Sequence, residues 1–209
     1  MDLDLLTGEI HALVGGNGSG KSTLIKILAG VYQADPGGAI EVGGRDAAAA
    51  AEWTPRDAFA AGLRFVHQNP GVFLDLTVAE NVAVGRGFPT GPAGHIRWGE
   101  LRARTQELID RYHLRATPDL PLRFLRAADR TMVAIARAFQ DQGHDQRGIL
   151  VLDEPTAALP VADADLLLTA LRRFAADGLT ILYVSHRIDE VLALADRVSV
   201  LRDGRLVAT

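Results

Sequence analysis

Short apolar runs bounded by turn residues alternate along this chain with segments of 3.6-residue periodicity, the pattern of an α/β fold on a mostly parallel sheet. EIHALV (9–14) predicts a buried strand. GGNGSG (15–20) breaks regular structure, and KSTLIKILAG (21–30) predicts a helix with Leu24, Ile27, Leu28 and Val31 on one face and Gly30 as its C-terminal stop. LRFVH (63–67), ILVL (149–152) and TILYVS (180–185) predict further strands, ILVL being wholly apolar like a central parallel strand. Residues 163–177 predict a helix that turns Leu166, Leu167, Ala170, Leu171 and Phe174 inward and stops at Gly178. The tail RVSVLRDGRLVAT (197–209) predicts a hairpin about Asp203-Gly204. From about 76 to 140 helical patterns replace the strand signal, notably in GELRARTQELIDRYHL (99–114), and GRGFPTGPAG (85–94) reads as a surface loop. The expected organisation is one domain, 1–209, with a core of 1–75 and 141–209 and a helical lobe at about 76–140.

Composition narrows the partners. With 48% hydrophobic residues in 209 there is ample material for a core. The 22 basic and 26 acidic residues give a formal charge of −4, which provides no basic field for a phosphate backbone, so nucleic acid is not expected as a partner. No cysteine is present, which excludes disulfides, thiolate metal sites and thiol nucleophiles, and the six histidines lack metal-ligand spacing. No run of 18 or more apolar residues predicts a membrane-spanning helix. AAAAA (47–51) reads as a loop or short helix without chemistry.

Chemistry concentrates at strand ends. GGNGSGKST (15–23) fits G-x-x-x-x-G-K-[ST] between a predicted strand and a predicted helix, the context that a phosphate loop needs. Backbone amides across Gly15, Asn17, Gly18, Ser19 and Gly20 would curl around phosphate oxygens, with the positive end of the helix at Lys21, Ser22 and Thr23 beneath them. Lys21 would reach the β and γ phosphates and Ser22 would offer its hydroxyl to Mg²⁺. In ILVLDEPT the strand ends in Asp153, a carboxylate for the Mg²⁺ shell, and the adjacent Glu154 can polarise an attacking water. Gln68 and His186 each follow a predicted strand, and ligands of open α/β sheets bind at the carboxyl ends of strands. His186 could donate to the γ-phosphate, and Gln68 could bind metal or water.

This set of motifs resembles the ATPase domain of ABC transporters over the whole chain: phosphate loop at 15–23, Q-loop at Gln68, helical lobe, Walker B at 149–154, D-loop region AALP at 157–160 and switch histidine His186. FVHQNPGVFLDLTVAENVAVGR (65–86) and YVSHRIDEVLALADRVSVLRDGRLVAT (183–209) are similar to the N-terminal half of the tandem-ATPase subunits of bacterial monosaccharide importers. The resemblance implies a RecA-like P-loop NTPase fold. It implies ATP and Mg²⁺ as cofactors, Lys21, Glu154 and His186 as catalytic residues, and Ser22, Gln68 and Asp153 around the metal. It further implies a second ABC ATPase domain as partner, a membrane permease, indirectly a solute-binding protein, and a cytoplasmic location on the inner face of the cell membrane. The function expected is ATP hydrolysis driving import of a small solute, a sugar in this subfamily. A regulatory nucleotide-binding module with little hydrolysis is the alternative, against which the intact Glu154 speaks.

Two stretches depart from the family pattern. Where relatives carry the signature L-S-G-G-Q or L-S-V-G-Q, which presses on the ATP of the partner domain, this chain has Leu125, Arg126, Ala127, Ala128 and Asp129. Ala128 is expected to add a Cβ where backbone should touch phosphate, and Asp129 to bring a negative charge toward a polyanion. Such a pair at about 5 Å and an effective dielectric near 20 repels by roughly 3 kcal/mol. An asymmetric heterodimer with one competent site is therefore favoured over a homodimer with two poor ones. Secondly, only 14 residues precede Gly15, where the family places a strand and an adenine-stacking aromatic. The expectation is a reduced N-terminal antiparallel edge, or a start lying upstream. Pro160 stands where many relatives carry Asp.

Overall fold

The computed structural model describes residues 1–44, 48–141 and 148–209. Its elements are, in chain order, β1 (Ile10–Val14), α1 (Lys21–Leu28), β2 (Ala39–Ile40), β3 (Ala48–Ala49), α2 (Pro55–Ala60), β4 (Leu63–Val66), α3 (Val78–Arg86), α4 (Trp98–Arg111), α5 (Ala127–Ala138), β5 (Ile149–Asp153), α6 (Val161–Ala176), β6 (Thr180–Val184), α7 (Ile188–Leu194), β7 (Arg197–Arg202) and β8 (Arg205–Ala208). Six strands form one sheet in the order β4-β5-β6-β1-β7-β8. The pairs β5–β6, β6–β1 and β1–β7 are parallel, and β7–β8 is antiparallel. The fold is α/β with a mostly parallel sheet, as the strand pattern predicts. A two-stranded antiparallel ladder, β2–β3, stands apart from the main sheet.

The chain divides into two compact units, one of 1–65, 145–154 and 171–209, the other of 66–144 and 155–170. In the first, Leu13, Ile25, Val151, Leu182, Val184 and Leu201 pack as one cluster. Central parallel strands are covered on both faces, which is why β1 and β6 are buried along their whole length and read as unbroken apolar runs. The exception inside β1 is His11, which has no exposed surface. Its Nδ1 lies 3.1 Å from Glu9 Oε1 and its Nε2 lies 2.7 Å from Ser199 Oγ, so one imidazole links β1 to β7 with both nitrogens satisfied. A second cluster of Trp53, Ala58 and Leu63 is anchored by Trp53 Nε1, which donates to the Leu28 carbonyl at 2.8 Å.

In the second unit Ala79, Ala83 and Leu101 bring α3 and α4 together, the two alanines permitting close approach. Asn81, wholly buried, accepts from Phe73 N at 2.8 Å and donates to the carbonyls of Phe73, Leu76 and Thr77, fixing the segment ahead of α3. From α5, Arg137 donates to the carbonyls of Gly71 (3.0 Å) and Pro70 (3.1 Å).

Several sequence expectations are corrected. Helix α1 ends at Leu28 and buries Ile25; Val31 lies beyond it and is 63% exposed. Gly85 and Arg86 belong to α3 rather than to a loop, and the helix is capped by Gly87 at φ 93°, where the loop begins. Within AAAAA, Ala48 and Ala49 form β3, while Ala47 lies outside the described residues. No helix of the described residues is long and apolar enough to cross a membrane.

Candidate functional site

β1 delivers the chain into the phosphate loop at the centre of the sheet. Gly15 passes so close to the β7 backbone that a Cβ there would sit 2.3 Å from the Leu201 carbonyl oxygen, so no other residue fits without backbone movement. Gly20, at φ 106°, caps α1 with no side-chain bond, and the first intrahelical hydrogen bond is Leu24 N to Gly20 O at 2.9 Å. The amides of Lys21, Ser22 and Thr23 therefore precede the ladder, as the first amides of any helix do, and carry its positive end. Lys21 is buried to 9% exposure and its ammonium donates to the carbonyls of Gly15 (2.7 Å) and Gly16 (3.0 Å), so the loop is wound around its own cation. Ser19 Oγ is buried with no hydrogen-bond partner. Asn17, Gly18, Ser22 and Thr23 are exposed. A ring of amides, a helix start and a lysine, with an orphaned hydroxyl among them, suits a polyphosphate in charge and in donor supply.

Across the sheet, register places Asp153 beside Val184 and Val184 beside Leu13. With strands about 4.8 Å apart, the end of β5 stands roughly 10 Å from the mouth of the phosphate loop, a span that fits a metal-bound triphosphate. The next residue, Glu154, adopts φ +49°, a sparsely populated backbone for a side chain of its size, and its N–H is held by the Val184 carbonyl at 2.8 Å. That turn sends its carboxylate toward His186, whose Nδ1 is 2.9 Å from Glu154 Oε1. Because a carboxylate only accepts, the proton in this contact is on Nδ1. The first unit thus brings together the phosphate loop, Asp153, Glu154 and His186. Gln68, two residues beyond β4, is exposed and is carried by the second unit. Among the described residues no group of three or more His, Cys, Asp or Glu is arranged to hold a metal ion.

The segment Leu125–Asp129 is built differently from the expectation. Arg126 is the N-cap of α5 without a side-chain bond, Ala128 is fully buried and Asp129 is 6% exposed. The Ala128 methyl is buried instead of standing out from the helix start, and the Asp129 side chain is buried as well. Burial raises the Asp129 carboxyl above its ordinary value; Arg115 and Arg126 oppose this and Asp163 reinforces it. The corrected picture leaves Arg126 as the residue of this stretch that changes the exposed chemistry. Sequence reasoning missed the contact between the β7–β8 turn and the phosphate loop, in which Gly204 N donates to Ser19 O at 2.9 Å. The Asp203-Gly204 pair predicts the turn but not what it touches.

Known proteins resemble this chain in sequence and in fold. The chain is 42% identical over 209 residues to ribose import ATP-binding protein RbsA 2 of Rubrobacter xylanophilus, covering 100% of this chain and 39% of that protein. It is 41% identical over 207 residues to ribose import ATP-binding protein RbsA of Jannaschia sp., covering 99% and 38%. The chain thus spans about two fifths of the length of these curated relatives. Among solved structures, the ADP conformation of an ATP-binding cassette of an ABC transporter superposes with a TM-score of 0.76 at 24% identity, covering 99% of this chain and 81% of that one, which establishes likeness of fold. A family model described as ABC transporter matches residues 1–157, a span that holds the phosphate loop, Gln68, Asp153 and Glu154. With loop, acid pair and sheet order all in agreement, the chain belongs to the ABC transporter family.

Proposed function

We propose that this chain is an ATP-binding and ATP-hydrolysing domain that energises import of a small solute, a sugar, through a separate membrane permease. The observation that carries the reading is the pairing of Glu154 with His186 at 2.9 Å at adjacent strand ends, beside a phosphate loop wound on Lys21. The names of the relatives, ribose import ATP-binding proteins, support the sugar.

In this reading the amides from Gly15 to Gly20 and of Lys21, Ser22 and Thr23 bind the β and γ phosphates, and Asn17 and Ser19 line the loop. The Lys21 ammonium turns from the loop carbonyls toward the phosphates. Asp153 and Ser22 would hold the metal, and Gln68 is the further ligand that the sequence pattern assigns. Mg²⁺, when bound, neutralises charge between the β and γ phosphates and polarises the phosphoryl group. Glu154 accepts the proton of the attacking water, and His186 orients Glu154 through Nδ1–H and, only when its second nitrogen is also protonated, donates from Nε2 to the γ-phosphate.

The chain works as one ABC-type domain, 1–209, whose helical lobe at about 76–140 carries the signature stretch to a second ATPase domain. A heteromeric partner suits Arg126, which replaces the small serine. The pair associates with the permease at the inner face of the membrane, and through the permease with a solute-binding protein. A module with little hydrolysis is disfavoured, because the sequence keeps Glu154 and His186, the acid and the histidine that the reaction would use.

Isothermal titration with Mg-ATP and phosphate release in the presence of a partner ATPase domain test this. The parent and Glu154→Gln should both bind saturably, and Glu154→Gln should lose at least about a hundredfold in turnover. Absence of saturable binding by the folded parent, or equal turnover in the two proteins, overturns the reading.

A further inference from the structure

The β7–β8 hairpin touches the phosphate loop at two points. At one, the Leu201 carbonyl closes on the Gly15 Cα; at the other, the Gly204 N–H donates to the Ser19 carbonyl at 2.9 Å, with the Gly204 Cα 3.4 Å from where a Gly20 Cβ would stand. The turn can present that amide because Asp203 and Gly204 both take left-handed backbone, at φ +50° and +73°. The Ser19 carbonyl and the Gly20 N–H belong to one planar trans peptide, so they point in opposite directions. Fixing the oxygen on the hairpin therefore fixes the hydrogen on the opposite side, facing away from the hairpin.

We propose that Gly204 is a positioning residue for nucleotide binding: its amide, by gripping the Ser19 carbonyl, aims the Gly20 N–H at the phosphates. The proposal rests on the reading of residues 15–23 as a phosphate loop and adds to it an element about 185 residues away in sequence. Without the grip the Ser19–Gly20 peptide is free to flip. A flip replaces a phosphate-facing donor with a phosphate-facing carbonyl, which repels the ligand. The hairpin is thus part of the binding machinery without touching the nucleotide.

Two variants separate the amide from the turn. Gly204→glycolate exchanges the N–H for an ester oxygen and leaves the turn geometry intact. Gly204→Ala keeps the N–H and strains the turn, with no atom within 4 Å of the added Cβ. The readouts are the Mg-ADP dissociation constant, the ³¹P resonance of the bound β-phosphate and the thermal midpoint. Loss of one such hydrogen bond is expected to loosen Mg-ADP about tenfold in the ester variant and to move the β-phosphate resonance. The alanine variant, which keeps the amide in a strained turn, should melt earlier and loosen Mg-ADP by less than the ester variant does. The proposal is overturned if the ester variant binds within twofold of the parent with an unmoved resonance, or if alanine loosens binding as much as the ester. Failure of the parent itself to bind Mg-ADP removes the phosphate-loop reading, and this inference with it.

Discussion

Asp129 shows how far the environment of one carboxyl departs from its place in a motif. Its raised pKa comes first from burial, and a raised acid in the folded state means that folding takes up a proton in the window between the unfolded value of 3.8 and the folded one. The stabilising protonated form is fully present below 3.8 and is lost as pH rises through the folded value, above which the charged form bears the cost of burial. Asp129→Asn is therefore expected to raise the melting temperature at pH 7, by about 2–4 °C for each kcal/mol gained in a chain of this size, with the gap to the parent closing as pH falls toward 4. Differential scanning fluorimetry across that range measures it. Gly15 gives a steric counterpart: Gly15→Ala drives a Cβ to 2.3 Å from the Leu201 carbonyl and should cost about 1–3 kcal/mol in urea unfolding. At this scale the sequence is uneven in what it shows. The phosphate loop is legible because its chemistry is local. The Glu9–His11–Ser199 chain and the inward rotation of Ala128 and Asp129 are not, since both depend on partners distant in sequence or on how a helix start is turned.

Helix boundaries follow local chemistry where a cap is present. Thr54 and Asp57 at the start of α2, and Thr77 and Glu80 at the start of α3, form reciprocal capping boxes, each joining side chain to backbone in both directions. Thr54→Ala should cost about 1 kcal/mol, read as a lower urea midpoint with unchanged slope. The T-x-x-D and T-x-x-E spacings were present in the sequence as start signals, and α2 is an element that periodicity alone overlooks because it is only six residues long. The strands were easier: β1, β5 and β6 lie side by side inside the sheet, so burial on both faces leaves a continuous apolar run that needs no alternation to be seen. Periodicity places the end of α1 too late, because the apolar stripe that includes Val31 runs past Leu28 into exposed chain.

At the scale of the molecule, a chain that pairs Glu154 with His186 and has Arg126 where the family has serine should, on the proposed function, depend on what faces it. Phosphate release by the chain alone is expected to be at least about tenfold slower than with an ATPase domain that carries an intact Ser-Gly-Gly, since removing one well-placed donor to a transition state commonly costs 10²–10³. Equal rates in coupled-enzyme assays would refute the asymmetry. The α/β class and sheet direction followed from the sequence pattern; the docking of the hairpin on the loop did not, because backbone-to-backbone contacts leave no residue type behind. The grip of Arg137 on the Pro70 and Gly71 carbonyls has a mechanical corollary. From Ala127 to Arg137 helix α5 is a stiff rod about 15 Å long, so a tilt of about 10° pivoting at one tip sweeps the other by nearly 3 Å. Whatever pushes on the Arg126 end is thereby felt as a tug on the strand of chain just past Gln68, as a crank turns a tie-bar.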